Sequence, residues 1–119
     1  MNFIHVYIGF LLFLPAQLHT LKLGDWMGVK SILCISKESA VKIAEADGQG
    51  GPELAVEVYN KDKDCAIVAI VLKPTHVVFT AKTKRGETHV VEADVELVDG
   101  SMKQVFFITD LPIVGVHDA

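Results

Sequence analysis

Motif chemistry is scarce in this chain. It holds two cysteines, Cys34 and Cys65, and their spacing is not Cys-x-x-Cys, so neither a thioredoxin-type redox pair nor a zinc knuckle is indicated. The histidines, His5, His19, His76, His89 and His117, never stand at His-x-x-x-His spacing, which leaves out the helical zinc pair. No serine occupies a nucleophile elbow. The stretch Gly48-Gln-Gly-Gly lacks the Gly-Lys-Ser/Thr ending of a phosphate loop and reads instead as a helix terminator. Positive charge is also in short supply, 11 Lys and Arg against 15 Asp and Glu, for a net charge of −4. Nucleic-acid binding needs a basic patch. The tight basic cluster here, Lys82, Lys84 and Arg85, falls in an expected turn, so nucleic acid is not an expected partner. Internal repeats and low-complexity segments are missing too, and neither a cofactor nor a metal is expected.

What remains is the composition of a folded protein. Of 119 residues, half are hydrophobic and 22% charged, enough for one small domain with a real core. The first twenty residues stand apart. Residues 3–16 are almost wholly apolar, a length that fits the apolar region of a secretory signal and falls short of the ~20 residues of a membrane span. Pro15 and Ala16 suit the approach to a cleavage site, although Met1-Asn2 carries no Lys or Arg. The readings are a cleaved signal, an uncleaved anchor, or a start at Met27. The first two make 1–20 a signal peptide or membrane anchor and 21–119 the domain, secreted or periplasmic in the one case and membrane-anchored in the other. In an exported chain, Cys34 and Cys65 are expected to pair.

Residues 20–35 form a transitional stretch in which Ser31-Ile-Leu-Cys-Ile is a short strand or an apolar lead-in. Ser36 reads as a helix N-cap, with Glu38 in the first turn where the helix dipole favours negative charge. Ala40, Val41, Ile43 and Ala44 recur at helical spacing up to the glycines at 48–51. Pro52 suits a first helical position, so 53–60 is expected to form a second short helix. From Cys65 the period changes to two. The expected strands are 65–72, 76–83, one from 87 to 97 and one from 102 that ends at Pro112, broken at Lys73-Pro74-Thr75, at a three-residue loop Lys84-Arg85-Gly86 and at a two-residue turn Asp99-Gly100, with a loosely held tail over 113–119. The fold class is therefore α+β: a four-stranded antiparallel meander with one or two short helices packed on one face, behind an N-terminal signal or anchor segment.

This register puts Val77, Phe79, Ala81, Val91, Ala93, Val95, Leu97, Met102, Phe106 and Ile108 on the core face, along with Cys65, Ile67, Ala69 and Val71. The opposite face carries an acidic row, Glu92, Asp94 and Glu96, at about 7 Å intervals. His76 falls opposite Asp94, and Lys103 opposite Glu96. Val68, Ile70, Leu72, Val78, Val90, Val105 and Phe107 lie beside that row, more apolar area than a free surface normally shows. The second helix or residues 20–33 cover it, or a second molecule does.

The function expected from these readings is an exported, non-enzymatic binding module. It would engage a protein partner, or another copy of itself, through the outer sheet face, at Val78, Val90, Glu92, Asp94, Glu96, Val105 and Phe107. The alternatives are an accessory subunit of a membrane or envelope assembly tethered through 3–16 and, third, a small hydrolase using His76 and Asp94.

Overall fold

The computed structural model describes residues 20–115. The expected leader over 3–16 lies outside the described residues, as do His5, His19 and His117. The elements run β1 (Leu21–Lys22), β2 (Met27–Cys34), α1 (Lys37–Asn60), β3 (Cys65–Thr83), β4 (Gly86–Glu96), β5 (Met102–Thr109) and β6 (Ile113–Val114). The described residues form an α+β fold, with one helix and a four-stranded antiparallel sheet, β2-β3-β4-β5, curled until β5 meets β2 again.

Local chemistry accounts for the helix. Ser36 has extended backbone and its hydroxyl accepts from the Ser39 N–H at 3.2 Å, which satisfies one of the donors that a helix start leaves open. The first helical stretch runs on past Gly48 to Gly50. Gly51, at φ 79°, interrupts it, and Pro52 opens the second stretch. A positive φ suits glycine alone at little cost, and proline at a helix start loses no hydrogen bond it needed. The buried helix residues are small: Ser39, Ala40, Ala44, Ala46 and Ala55, with Ile43 the one large side chain among them. Small side chains let the helix lie close to the sheet. A Cβ on Gly48 would stand 2.9 Å from the Lys82 carbonyl oxygen.

The strands depart from expectation in three ways. First, 65–83 is one strand: Lys73-Pro74-Thr75 does not turn the chain. Pro74 is buried, its carbonyl accepts from the Gly24 N–H at 2.7 Å, and the register slips between Pro74 and His76. A bulge there accommodates a residue that cannot donate to the ladder. Second, the fourth strand is β2, which pairs with the first half of β3 from Met27↔Leu72 to Cys34↔Cys65. Third, both hairpins are one residue out of the expected register. Thr83 faces Gly86 across a two-residue Lys84-Arg85 turn, and Glu96 faces Met102 across a longer loop.

These slips decide what lies inside. Val91, Ala93, Val95, Val105, Phe107 and Leu72 line the barrel interior with Leu21. A second cluster lies between sheet and helix: Val90 and Phe106 against Ala40, Ile43, Ala44 and Ala55. A second bulge between Val77 and Phe79 leaves Val77 against the barrel cluster and Val78 and Phe79 against the helix cluster. The tail at 113–114 is not loose: β6 pairs in parallel with β1, and both pack against the barrel cluster through Leu21 and Ile113.

Cys34 and Cys65 are bonded, with Cα atoms 4.0 Å apart, directly opposite one another across β2 and β3. The bridge ties the strand that leads into α1 to the strand that leaves it. The Ile35 N–H adds a bond to the Asp64 carbonyl at 3.0 Å beside it. A bonded pair fits an oxidising, extracytoplasmic compartment. Among the described residues, no helix is long and apolar enough to cross a membrane.

Candidate functional site

Of the residues expected on the outer face, Val90, Val105 and Phe107 are in fact core, at 0%, 4% and 0% exposure. The one-residue slip at the second hairpin turns Val105 and Phe107 inward with Val91 and Ala93, since a shift of one moves every side chain to the opposite side. Val90 does face outward, but α1 lies over it. Val78 is half-buried in the same cluster. These four are covered from within the chain: the barrel side by β1 and β2, the other side by the helix.

The first half of β3 is inverted as well. Leu72 is fully buried and Val68 and Ile70 turn inward, whereas Ile67 and Val71, expected in the core, are 57% and 60% exposed. Pairing with β2 dictates this. The side of 65–72 that packs inside is the side shared with Met27, Val29 and Leu33. Gly28 stands opposite Val71 and has no side chain to shield it.

Glu92, Asp94 and Glu96 keep their outward row past the end of the helix. Their neighbours are not those expected. His76 is opposite Glu92, Lys73 opposite Asp94, and Lys103 opposite Val95. On β5, Gln104 faces Asp94 and Met102 faces Glu96. Glu92 is held from two sides: Gln104 Nε2 donates to its Oε2 at 2.6 Å, and His76 Nδ1 lies 3.8 Å from the same oxygen. Lys73 directs its ammonium over the Trp26 ring, 5.7 Å from the centroid. Among the described residues, Asp94 and Glu96 therefore have no cation within ion-pair distance.

The bare outer surface thus carries an apolar row on the first half of β3, Ile67, Ala69 and Val71, flanked on β2 by Ile32, Lys30 and Gly28. At Lys73 it meets the acidic row Glu96, Asp94 and Glu92 on β4, beyond which lie Met102, 55% exposed, and Gln104. The acidic row is legible in the sequence, and the apolar row on β3 is not. The available signal was the strand-like run Ser31-Ile-Leu-Cys-Ile, which as a pairing partner for 65–72 would have reversed the sides.

The His76–Asp94 pair needed for acid–base chemistry is not assembled by this register. His89 is half-buried near the hairpin end, its Nδ1 2.8 Å from the Thr80 hydroxyl. Among the described residues, no group of three His, Cys, Asp or Glu side chains converges as a metal site would. The sheet's other polar feature sits at the first hairpin, where Arg85 Nη2 donates to Asp47 Oδ2 at 2.7 Å. That hydrogen bond, and the carboxylate charge behind it, raise the Arg85 guanidinium further above its ordinary value. Compared with known protein families, with curated proteins and with solved structures, the chain has no match.

Proposed function

We propose that this chain is an exported, non-enzymatic binding module that takes a protein partner on the outer sheet face beyond the helix. The observation that carries the reading is the exposed apolar row Ile67–Ala69–Val71, which continues through Lys73 to the acidic row on β4, where Asp94 and Glu96 make no ion pair among the described residues. A contiguous exposed apolar patch rimmed by polar residues is a common mark of an interaction surface. The negative charge past the Lys73 end of the row favours a partner segment that is basic where it crosses β4 and apolar where it crosses β3, because complementary potential steers encounter and excludes wrong partners. The disulfide agrees with action outside the cytoplasm.

The test is cross-linking capture on the extracytoplasmic side, comparing wild type with Val71→Asp and with the double change Asp94→Lys/Glu96→Lys. Val56→Asp on the exposed side of α1 serves as control. A buried apolar anchor is worth about 2 kcal/mol, roughly thirtyfold in Kd, so Val71→Asp should remove a partner that the control retains. The charge reversal should weaken capture most at low salt. A partner held equally by all four proteins would sink the outer-face reading.

A further inference from the structure

The barrel is closed on three sides and open along part of the fourth. β2 and β5 pair only through Leu33↔Phe107 and Cys34↔Phe106. The Ser31 hydroxyl then bonds the Ile108 carbonyl, and past this point the strands part. Residues 27–30 pair with β3 on one edge, and Thr109 pairs with β4 on one edge. No ladder joins the two facing edges. The gap is a cleft of about 450 Å³ lined by residues 27–32 and 107–111, with Asp47, Arg85 and Thr88 at its side.

Two properties of the cleft identify what it fits. Its walls are strand edges, whose main-chain groups need partners wherever water is excluded, and an open edge is a template for another strand. Its charge is balanced: Lys30 and Arg85 offset Asp47 and Asp110. A phosphate or a metal cation would gain nothing net from such walls, whereas a neutral main chain is suited to them. A donor is also missing. Asp47 Oδ2 accepts from Arg85, but its Oδ1 is buried and finds no hydrogen-bond partner among the described residues, a position that costs free energy until an N–H arrives.

We propose that the β2–β5 cleft accepts an extended peptide segment of a partner protein as an added strand, one of its N–H groups meeting Asp47 Oδ1. Since β2 and β5 are antiparallel, the inserted strand runs antiparallel to one and parallel to the other. At ~3.3 Å per residue the free edge over 27–30 matches a segment of about four residues. This mode reads backbone first and side chains second. It uses the free edge of β2, whereas the outer-face apolar row lies on β3, along the edge of β2 that is already paired.

The test uses the full chain with its disulfide intact. A random linear heptapeptide library is panned against it, the selected peptide is resynthesised, and binding is followed by fluorescence anisotropy and by amide hydrogen exchange. The expected result is slowed exchange at 27–30 and 109–111. Peptides N-methylated at alternate positions should lose about tenfold or more in Kd, while alanine at the same positions changes it less than about threefold. Asp47→Ala, at an ion pair beside the cleft and outside both hydrophobic clusters, should weaken the peptide by a similar factor, and Asp94→Lys should not. The proposal is overturned if no peptide is selected, if protection falls on the outer face, if N-methylation is tolerated throughout, or if the same amides become protected through self-association without peptide. The methylated peptides probe the site without altering the protein, so a poorly folded variant cannot confuse the outcome.

Discussion

Val90 and Val91 are neighbours on β4, both fully buried, and they belong to two different interiors. Val91 joins a barrel cluster of large side chains drawn from every strand, with Phe107, Leu72 and Leu21 at its heart. Val90 joins a layer between sheet and helix in which the sheet supplies Phe106 and the Cys34 end of β2 and the helix supplies alanines and Ile43. The first interior is stable because it removes bulk from water. The second sets small helix side chains against the sheet and relies on close approach, with a covalent tie at its edge. Two interiors of different construction should fail in different ways.

The largest effect is expected inside the barrel. Phe107→Ala removes the largest fully buried side chain and should cost about 3–5 kcal/mol, a large share of a typical ~5–15 kcal/mol domain stability. Urea unfolding with an unchanged slope would measure it. A loss under about 1 kcal/mol would mean the barrel interior is not the principal core.

Reducing the Cys34–Cys65 bond comes next. For a sequence separation of 31, the chain-entropy model gives about 3–4 kcal/mol. The loss should be uneven: exchange should accelerate over the first helical stretch more than at Val91 and Ala93. Uniform acceleration would erase the distinction between the two interiors.

Gly48 sharpens the contrast further. On helix propensity alone Gly48→Ala should gain up to about 1 kcal/mol. The new methyl, however, would meet a main-chain oxygen at 2.9 Å and Ala81 Cβ at 3.2 Å, and overpacking of this kind typically costs about 1–3 kcal/mol. We expect net destabilisation, with Gly28→Ala as control, since a Cβ there has nothing within 4 Å. A stabilised Gly48→Ala would show that helix and sheet can separate without loss.

The smallest expected effect lies outside both interiors, at the second hairpin. Asp99 accepts from the Ser101 hydroxyl at 2.6 Å and from its N–H at 2.9 Å. These bonds, the hydroxyl's first, hold the carboxyl below the usual carboxylate range. A depressed folded value means the contribution is present above the unfolded pKa and is lost as pH falls through the folded one. The stability difference between wild type and Asp99→Ala should therefore be slight near neutrality and vanish in strong acid. A difference that persists in acid would assign the effect to the backbone of the loop.

The same hairpin shows where sequence reading stopped. Asp99-Gly100 has the composition of a two-residue turn, yet the Leu97 N–H bonds the Ser101 carbonyl and the Gly100 N–H bonds Leu97. The Asp99 side chain serves the loop from within, and Leu97 and Val98 are left in solvent. Pro74 has the look of a strand terminator, and only the bulge beside it, with Gly24 bonding its carbonyl, keeps β3 continuous. Glu92, Asp94 and Glu96 were legible as an outward row because alternation within one strand needs no partner to be read. Ile67 and Val71 were not, because which side of 65–72 is inside depends on the strand beside it.

The features that the residues determine unaided are those decided within a few bonds: the Ser36 cap, the interruption at Gly51 and Pro52, the change to period two after Cys65, and the pair of cysteines. The pairing partner of β3, the two register slips and the open seam between β2 and β5 were decided by the tertiary structure. The physical reason is the pleat. With a period of two, a shift of one residue exchanges the whole interior for the surface, and the energy that selects one register resides in contacts between residues far apart in the chain, as between Leu72 and Met27.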